Sequence, residues 1–432
     1  VTLLELLPQQ LAERLSADGG SAYLISNPAD GRLRASLPWL QPLADTLCAD
    51  RRDFHQHEAI FLGVGPESGA LFGAFVHRTI RGSGSGGLRH WPYQRCEDFI
   101  RDGLRLALGM SRKNALAGLW WGGGKGIIAR QPGDLWRDSG YRKTLYREYG
   151  TFVTGLRGIY ITAEDVGTTP ADMAEVFATT RHVTCVPPEM GGSGNPSPAT
   201  ARGVVCAMEG ALDFMGNGDL AGKKIAMQGA GNVATCMIEE LLARDVAQVV
   251  ATEINPERHA LLADRFAGKP VELRLTDPSD TTIFAEPCDV LAPNALGGVL
   301  SPDTIPSIQA PLVCGAANNQ LFDDRRDDAA LSARGIAYVP DYVANRMGIV
   351  NCANEQYGQV PNDPAINRHF GREWENSVYL VTQRVFERAK IERISTSAAA
   401  NRLADEAILQ PHPIWGYRGR QILDGLAAEM TD

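Results

Sequence analysis

Residues 223–242 read KKIAMQGAGNVATCMIEELL, and this stretch decides the fold of the chain's second half. An apolar run of strand length enters a glycine turn, and an amphipathic helix leaves it. Gly229, Gly231 and Ala234 stand in the order G-x-G-x-x-A. Gly229 suits a tight turn, Gly231 lets a pyrophosphate approach the amides at the helix start, and Ala234 lets the helix pack closely on the strand. A bare match of this kind also occurs in turns that bind nothing, so its context matters. Here Glu253 ends the next strand, QVVATEI, roughly 20 to 25 residues on, where a dinucleotide site needs an acid. A carboxylate at that place accepts ribose hydroxyls and repels a 2′-phosphate, so the expected cofactor is NAD rather than NADP. The candidate cofactor residues are Gly229, Ala230, Gly231, Asn232, Val233, Glu253 and Ile254.

Working outward, a helix with Val204, Val205, Met208, Leu212 and Met215 at helical spacing precedes this unit. The short strands DVLAPN, PLVCGA and IAYVPD follow it. Strands alternating with helices predict an α/β fold with a parallel, doubly wound, Rossmann-like sheet. The punctuated segment GGSGNPSP marks a boundary, because Gly, Asn and Pro cluster there. The expected division is an α/β first domain over 1–192 and a nucleotide-binding domain over 193–354. Helices over 355–432 are expected to fold back on the first domain.

With 432 residues the chain is longer than one hydrophobic core usually serves. A net charge of −9, with no cluster of Lys or Arg, argues against nucleic acid as a partner. Eight cysteines without a C-x-x-C pair exclude the common zinc spacings and a dense disulfide framework. No metal site is expected. The opening VTLLELLPQQLAERL places Leu3, Leu4, Leu7, Leu11 and Leu15 on one helical face, and reads as an amphipathic helix rather than a signal peptide. No apolar run has membrane-spanning length, so the expected location is the cytoplasm.

Chemistry has to come from the first domain. AIFLGVGPESGALFGAFVHRTIRG reads as a strand pair that opens its sheet, and CEDFIRDGLRLALGM as a helix. Lys113 follows that helix, and Lys125 follows three glycines in GLWWGGGKGII. Both lysines lie in apolar surroundings, which disfavour the ammonium form and lower a lysine pKa toward that of a working base. Asp165 ends the apolar segment GIYITAED. Thr169, Pro170 and Asp172 then start a helix as cap, first-position proline and capping-box acid.

These residues carry a resemblance. GMSRKNALAGLWWGGGKGII, YITAEDVGTT, SGNPSPATARGV, QGAGNVA, APNALGGVL, GAANNQL and PDYVANRMGIVN, in this order, resemble the successive motifs of the glutamate/leucine/phenylalanine/valine dehydrogenase family. The resemblance implies that Lys113 holds a substrate α-carboxylate, Lys125 is the base and Asp165 shuttles protons at the amine. It places Thr200 near the nicotinamide carboxamide and Asn319 near substrate and cofactor, and it adds Ala292 and Asn294 to the cofactor site. It also implies reversible oxidative deamination of an L-amino acid to a 2-oxo acid and ammonia, and a homo-oligomer built through the first domain.

The resemblance also places Met110, Ser85, Gly86, Gly87 and Cys352 at substrate-pocket positions. Ser85 stands where glutamate-specific members carry a lysine, and Cys352 where they carry a serine, so the expected substrate is neutral, either branched aliphatic or aromatic. In one place the chain departs from the family: Asn345, Arg346, Met347 and Gly348 stand where Asn-Ala-Gly-Gly is usual. This departure leaves open a catalytically altered, NAD-binding regulatory homologue. A hydroxy-acid dehydrogenase is the other alternative, although the histidines fall outside the arrangement that it needs.

Overall fold

A computed structural model describes residues 2–358, 360 and 362–429. The chain divides into two compact units. The first comprises Val1–Asn195, Cys352–Gln359 and Asp405–Asp432, and the second Pro196–Asn351 and Val360–Ala404. The boundary thus lies close to the punctuated GGSGNPSP segment. The C-terminal stretch differs from expectation, because residues 360–404 group with the second unit and only the flanking pieces with the first.

In the first unit, Pro8 splits the expected N-terminal helix. A single tight turn covers Leu3–Glu5, and the helix proper, α1, is Pro8–Ala17. Two strands that the sequence reading passed over follow, β1 (Ser21–Ser26) and β2 (Leu33–Ala35), and then α2 (Gln41–Ala49). The expected strand pair is present as β3 (Ala59–Val64) and β4 (Leu71–Arg78), joined antiparallel. Next come β5 (Gly84–Ser85), β6 (Leu88–Trp91), α3 (Cys96–Leu116), β7 (Gly122–Ala129), α4 (Ser139–Gly155), β8 (Tyr160–Ile161) and α5 (Pro170–Phe177). The described strands run in the order β2-β1-β3-β4-β7-β5-β8, with β6 also on β7.

Helices cover both faces of this sheet, so β4 and β7 are buried along nearly their whole lengths and show no polar alternation. On one face Leu15, Leu24, Phe75, Phe99 and Leu104 share a core. On the other, Phe72 meets Tyr149 of α4 edge-on with ring centroids 5.4 Å apart. The capping box at Thr169 forms as expected, with Thr169 Oγ1 accepting from the Asp172 amide and Asp172 Oδ2 accepting from the Thr169 amide. Asp172 also pairs with Arg142 of α4 at 2.5 Å.

The second unit begins with α6 (Ser197–Phe214) and continues with β9 (Lys224–Gln228), α7 (Asn232–Leu242), β10 (Gln248–Glu253) and α8 (Pro256–Arg265). Strands β11 (Val271–Leu275), β12 (Val290–Pro293), β13 (Leu312–Val313) and β14 (Ala337–Tyr338) complete a parallel sheet ordered β11-β10-β9-β12-β13-β14. The strand order reverses at β9 and β12, the place where open parallel sheets take ligands. Strand β11, with the charged sequence VELRL, was not anticipated, because only half-buried edge positions support it. No described helix is long and apolar enough to cross a membrane.

Candidate active site

The first unit gathers its chemical groups where α3 lies on β7. The run Gly122–Gly124 makes this contact possible: a side chain at Gly123 would collide with Ser111 Oγ and the Ala107 carbonyl of α3. Lys113 sits in the last turn of α3 rather than after the helix, one turn beyond Met110. Asn114, fully buried beside it, donates to the carbonyls of Gly122 (2.7 Å) and Ser85 (3.4 Å), tying the helix end to both strands.

Strands β5 and β6 are two halves of one track along β7, with Ser85 opposite Gly123 and Leu88 opposite Gly126. Gly86 and Gly87 interrupt the track. On its other side, β8 pairs with β5, and Glu164 bridges to Leu88. Lys125 and Asp165 thus approach from opposite sides of a stretch of bare backbone. A side chain at Gly86 would strike the Gly124 carbonyl, and one at Gly87 would stand 2.6 Å from Asp165 Cβ. Lys125 Nζ lies 2.7 Å from Asp165 Oδ2.

The electrostatics follow from burial and pairing. Only 5% of the Lys125 side chain is exposed, and this desolvation lowers its pKa, opposed by the Asp165 charge and assisted by Arg89. Burial by itself would raise the Asp165 carboxyl, but Lys125 and Arg89 hold it down at about 2. Next to it, Glu164 is pushed up to about 7 by burial and by the charges of Asp165 and Asp172. The site therefore holds an ionised carboxylate against a lysine that gives up its proton more easily than usual.

Ser85 is fully buried and its hydroxyl has no hydrogen-bond partner. Cys352 is also buried, and its hydrogen bond with Cys185, together with burial, raises its thiol well above the usual range. All eight cysteines are free.

In the second unit the glycine turn caps the C-terminal end of β9. Gly229 has φ 90°, and a side chain there would stand 2.6 Å from Ala295 Cβ, so only glycine suits. At Gly231 a Cβ would meet nothing within 4 Å, which leaves the N-terminus of α7, starting at Asn232 and Val233, open to approach. Two buried polar atoms at the ends of the adjacent strands β9 and β12 lack partners, Gln228 Oε1 and Asn294 Nδ2. An open helix start beside unspent donors and acceptors fits a dinucleotide's phosphates and amide. Asn294 Oδ1 accepts from the Ala316 amide at 2.7 Å, and Ala292 is buried within β12.

Glu253 Oε1 accepts from the amides of Ile254 and Asn255, both at 2.9 Å, which fixes the carboxylate at the strand end. Ile254 itself is 56% exposed. Thr200 lies on α6 with its hydroxyl donating to the Pro196 carbonyl at 3.0 Å. Asn319 is exposed, has φ 51°, and donates its amide to Asp341 Oδ2 at 2.8 Å.

The departure at Asn345–Gly348 turns inward. Arg346 is wholly buried and donates through Nη2 to the Asn376 carbonyl, while Met347 is buried against Gly203 of α6. Both side chains fill the interior of the second unit.

Glu164 and Gln228 escaped the sequence reading, as did four further groups. Arg89, Asp102 and Tyr93 form a hydrogen-bonded chain ending on Asp165, and Arg258 donates to the Ala230 carbonyl (2.7 Å) and to Asn232 Oδ1 (3.1 Å), 3.7 Å from Glu253. The available signal for Arg89 was a lone cation inside the apolar strand LRHW.

Residues 71–182 match the model of the Glu/Leu/Phe/Val dehydrogenase dimerisation domain, and residues 191–255 and 258–413 that of the Glutamate/Leucine/Phenylalanine/Valine dehydrogenase family. The chain is 41% identical to a leucine dehydrogenase of Geobacillus stearothermophilus over 82% of its own length and 91% of the relative's. It is 36% identical to a valine dehydrogenase of Streptomyces coelicolor, over 83% and 93%. The solved structure of an L-tryptophan dehydrogenase from Nostoc punctiforme superposes with a TM-score of 0.67 at 32% identity, over 82% of this chain and 96% of that one.

Proposed function

The chain belongs to the glutamate/leucine/phenylalanine/valine dehydrogenase family and is an amino-acid dehydrogenase, and from that premise we propose that it oxidatively deaminates a neutral L-amino acid with NAD. The observation that carries this reading is the buried 2.7 Å pair of Lys125 and Asp165 beside the Gly86–Gly87 backbone.

NAD, when bound, supplies the acceptor for the hydride that leaves the substrate Cα. The protein residues supply the rest. Lys113 pairs with the substrate α-carboxylate. Asp165, ionised in the free enzyme, takes a proton from the substrate ammonium and later returns one to the departing amine. Lys125, which burial makes a readier base, deprotonates the water that attacks the imino carbon, so that ammonia and the 2-oxo acid leave. In the second unit Gly229 to Val233, Gln228 and Asn294 hold the phosphates and the amide end of the cofactor. Thr200 and Asn319 complete that side, Ala292 lends buried backbone, and Glu253 and the exposed Ile254 receive the adenosine.

The substrate side chain is neutral on this reading, because Ser85 and Cys352 offer no charge and both are buried. A second carboxylate there costs several kcal/mol without a partner. Branched aliphatic and aromatic side chains both fit, as the names of the relatives suggest. The dimerisation-domain match supports a homo-oligomer, and the cytoplasm is the compartment in which free thiols and this cofactor coexist.

The test is reduction of NAD and of NADP by a panel of leucine, valine, phenylalanine, tryptophan, glutamate and 2-hydroxy acids, with ammonia measured in parallel. Turnover of neutral amino acids with one ammonia per reduced cofactor is the expected result. Preference for glutamate, or activity confined to 2-hydroxy acids, would overturn it. Intact nucleotide binding without any turnover would establish a regulatory homologue instead.

A further inference from the structure

Asp165 Oδ2 has a second cation on it. The Arg89 guanidinium reaches this oxygen through Nε at 3.3 Å, while its Nη1 spans both oxygens of Asp102 at 3.1 and 3.0 Å. Tyr93 donates its hydroxyl to Asp102 Oδ2 at 2.6 Å, locking the acid from behind. Three elements meet in this chain: Arg89 is on β6, Asp102 on α3, which also bears Lys113, and Asp165 follows the bridge at Glu164.

Resting on the reading above, we infer that Arg89 is a positioning residue of the reaction, its guanidinium anchored by Asp102 and Tyr93 so that it presents the Asp165 carboxylate to Lys125. A planar guanidinium spans two carboxylates at fixed angles, which an ammonium does not. The charge has a second effect. Arg89 lowers the pKa of both Asp165 and Lys125, and so cancels part of the attraction by which Asp165 would keep Lys125 protonated. The other titratable groups acting on the pair include Asp102, Tyr93, Glu164 and Tyr160, with Asp172 acting on Glu164, and α3 also bears the cation Lys113 at its end.

Arg89 also lines an open cavity of about 590 Å³ with Arg52, Trp91, Tyr93 and Arg105, so small solutes have access to it. This access makes chemical rescue possible. Arg89→Gln should lower kcat by about 10- to 100-fold, as loss of an orienting partner typically does, with KM for the amino acid changed less than about threefold. Its kcat/KM–pH profile should rise at a higher pH than in the parent, by about one unit, because Lys125 holds its proton longer. Arg89→Lys should restore the profile but not kcat. Guanidinium ion added to Arg89→Ala should restore part of kcat, which a merely misfolded variant would not allow.

A pH profile unmoved in Arg89→Gln, a loss carried entirely by KM, or no rescue by guanidinium would overturn the inference. Lys125→Ala, run alongside, separates the two levels: if it keeps most of its turnover, the proposed mechanism itself is wrong, whatever Arg89 does.

Discussion

A methyl group on Gly87 would stand 2.6 Å from the Cβ of Asp165, closer than any two such atoms pack, so the absence of a side chain at Gly87 is what lets Asp165 reach Lys125. Gly87→Ala should therefore push Asp165 aside while the second unit keeps its nucleotide site. A displacement of about 1 Å costs on the order of 10²-fold in kcat. The check is kcat beside an NAD titration: reduced turnover at unchanged NAD affinity is expected, and normal turnover would show that the Asp165 position is unimportant.

The lysines should separate kinetically. Lys125→Ala should lose turnover and keep NAD affinity, whereas Lys113→Ala should act mainly on KM through the lost carboxylate partner. Since the base must be neutral and burial lowers its pKa, kcat/KM in the parent should rise with pH and level off below 10.5, the ordinary lysine value. Activity that falls over that range would contradict a basic role for Lys125.

Arg258 lies 3.7 Å from Glu253, so the cation needed to receive a 2′-phosphate is already in place. Glu253→Ser alone should shift preference from NAD toward NADP by about tenfold or more, with no arginine added. Adding Arg258→Ala should reverse the gain. Equal use of both cofactors by the parent would remove Glu253 from this role.

Cys352 is buried, and the proposed function puts it in the substrate pocket. Cys352→Val adds bulk of about one methyl group, worth roughly 10-fold or more in discrimination within an apolar pocket. The ratio of kcat/KM for phenylalanine over valine should fall by that factor. An unchanged ratio would place the pocket elsewhere.

The sequence by itself determined the nucleotide turn of the second unit, because the glycine turn, the helix after it and the acid ending the next strand are local, whereas tertiary packing decided the edge strand β11 and the grouping of residues 360–404 with this unit. Lys125 and Asp165 were also legible, through their apolar settings and the family motifs. Tertiary structure decided what lies around them. Arg89 and Asp165 are 76 residues apart and meet because Leu88 of β6 bridges in parallel to Glu164, a register that no local periodicity encodes. Pro8 ended the leucine stripe as a helix signal, since a proline ring fits a first turn but not a helix interior. Arg346 reads as a polar intrusion near a pocket, yet the fold closes over it and gives it the Asn376 carbonyl. A chain specifies its local elements by spacing, but which distant charges face one another is set only when strands find their register and glycines let backbones approach.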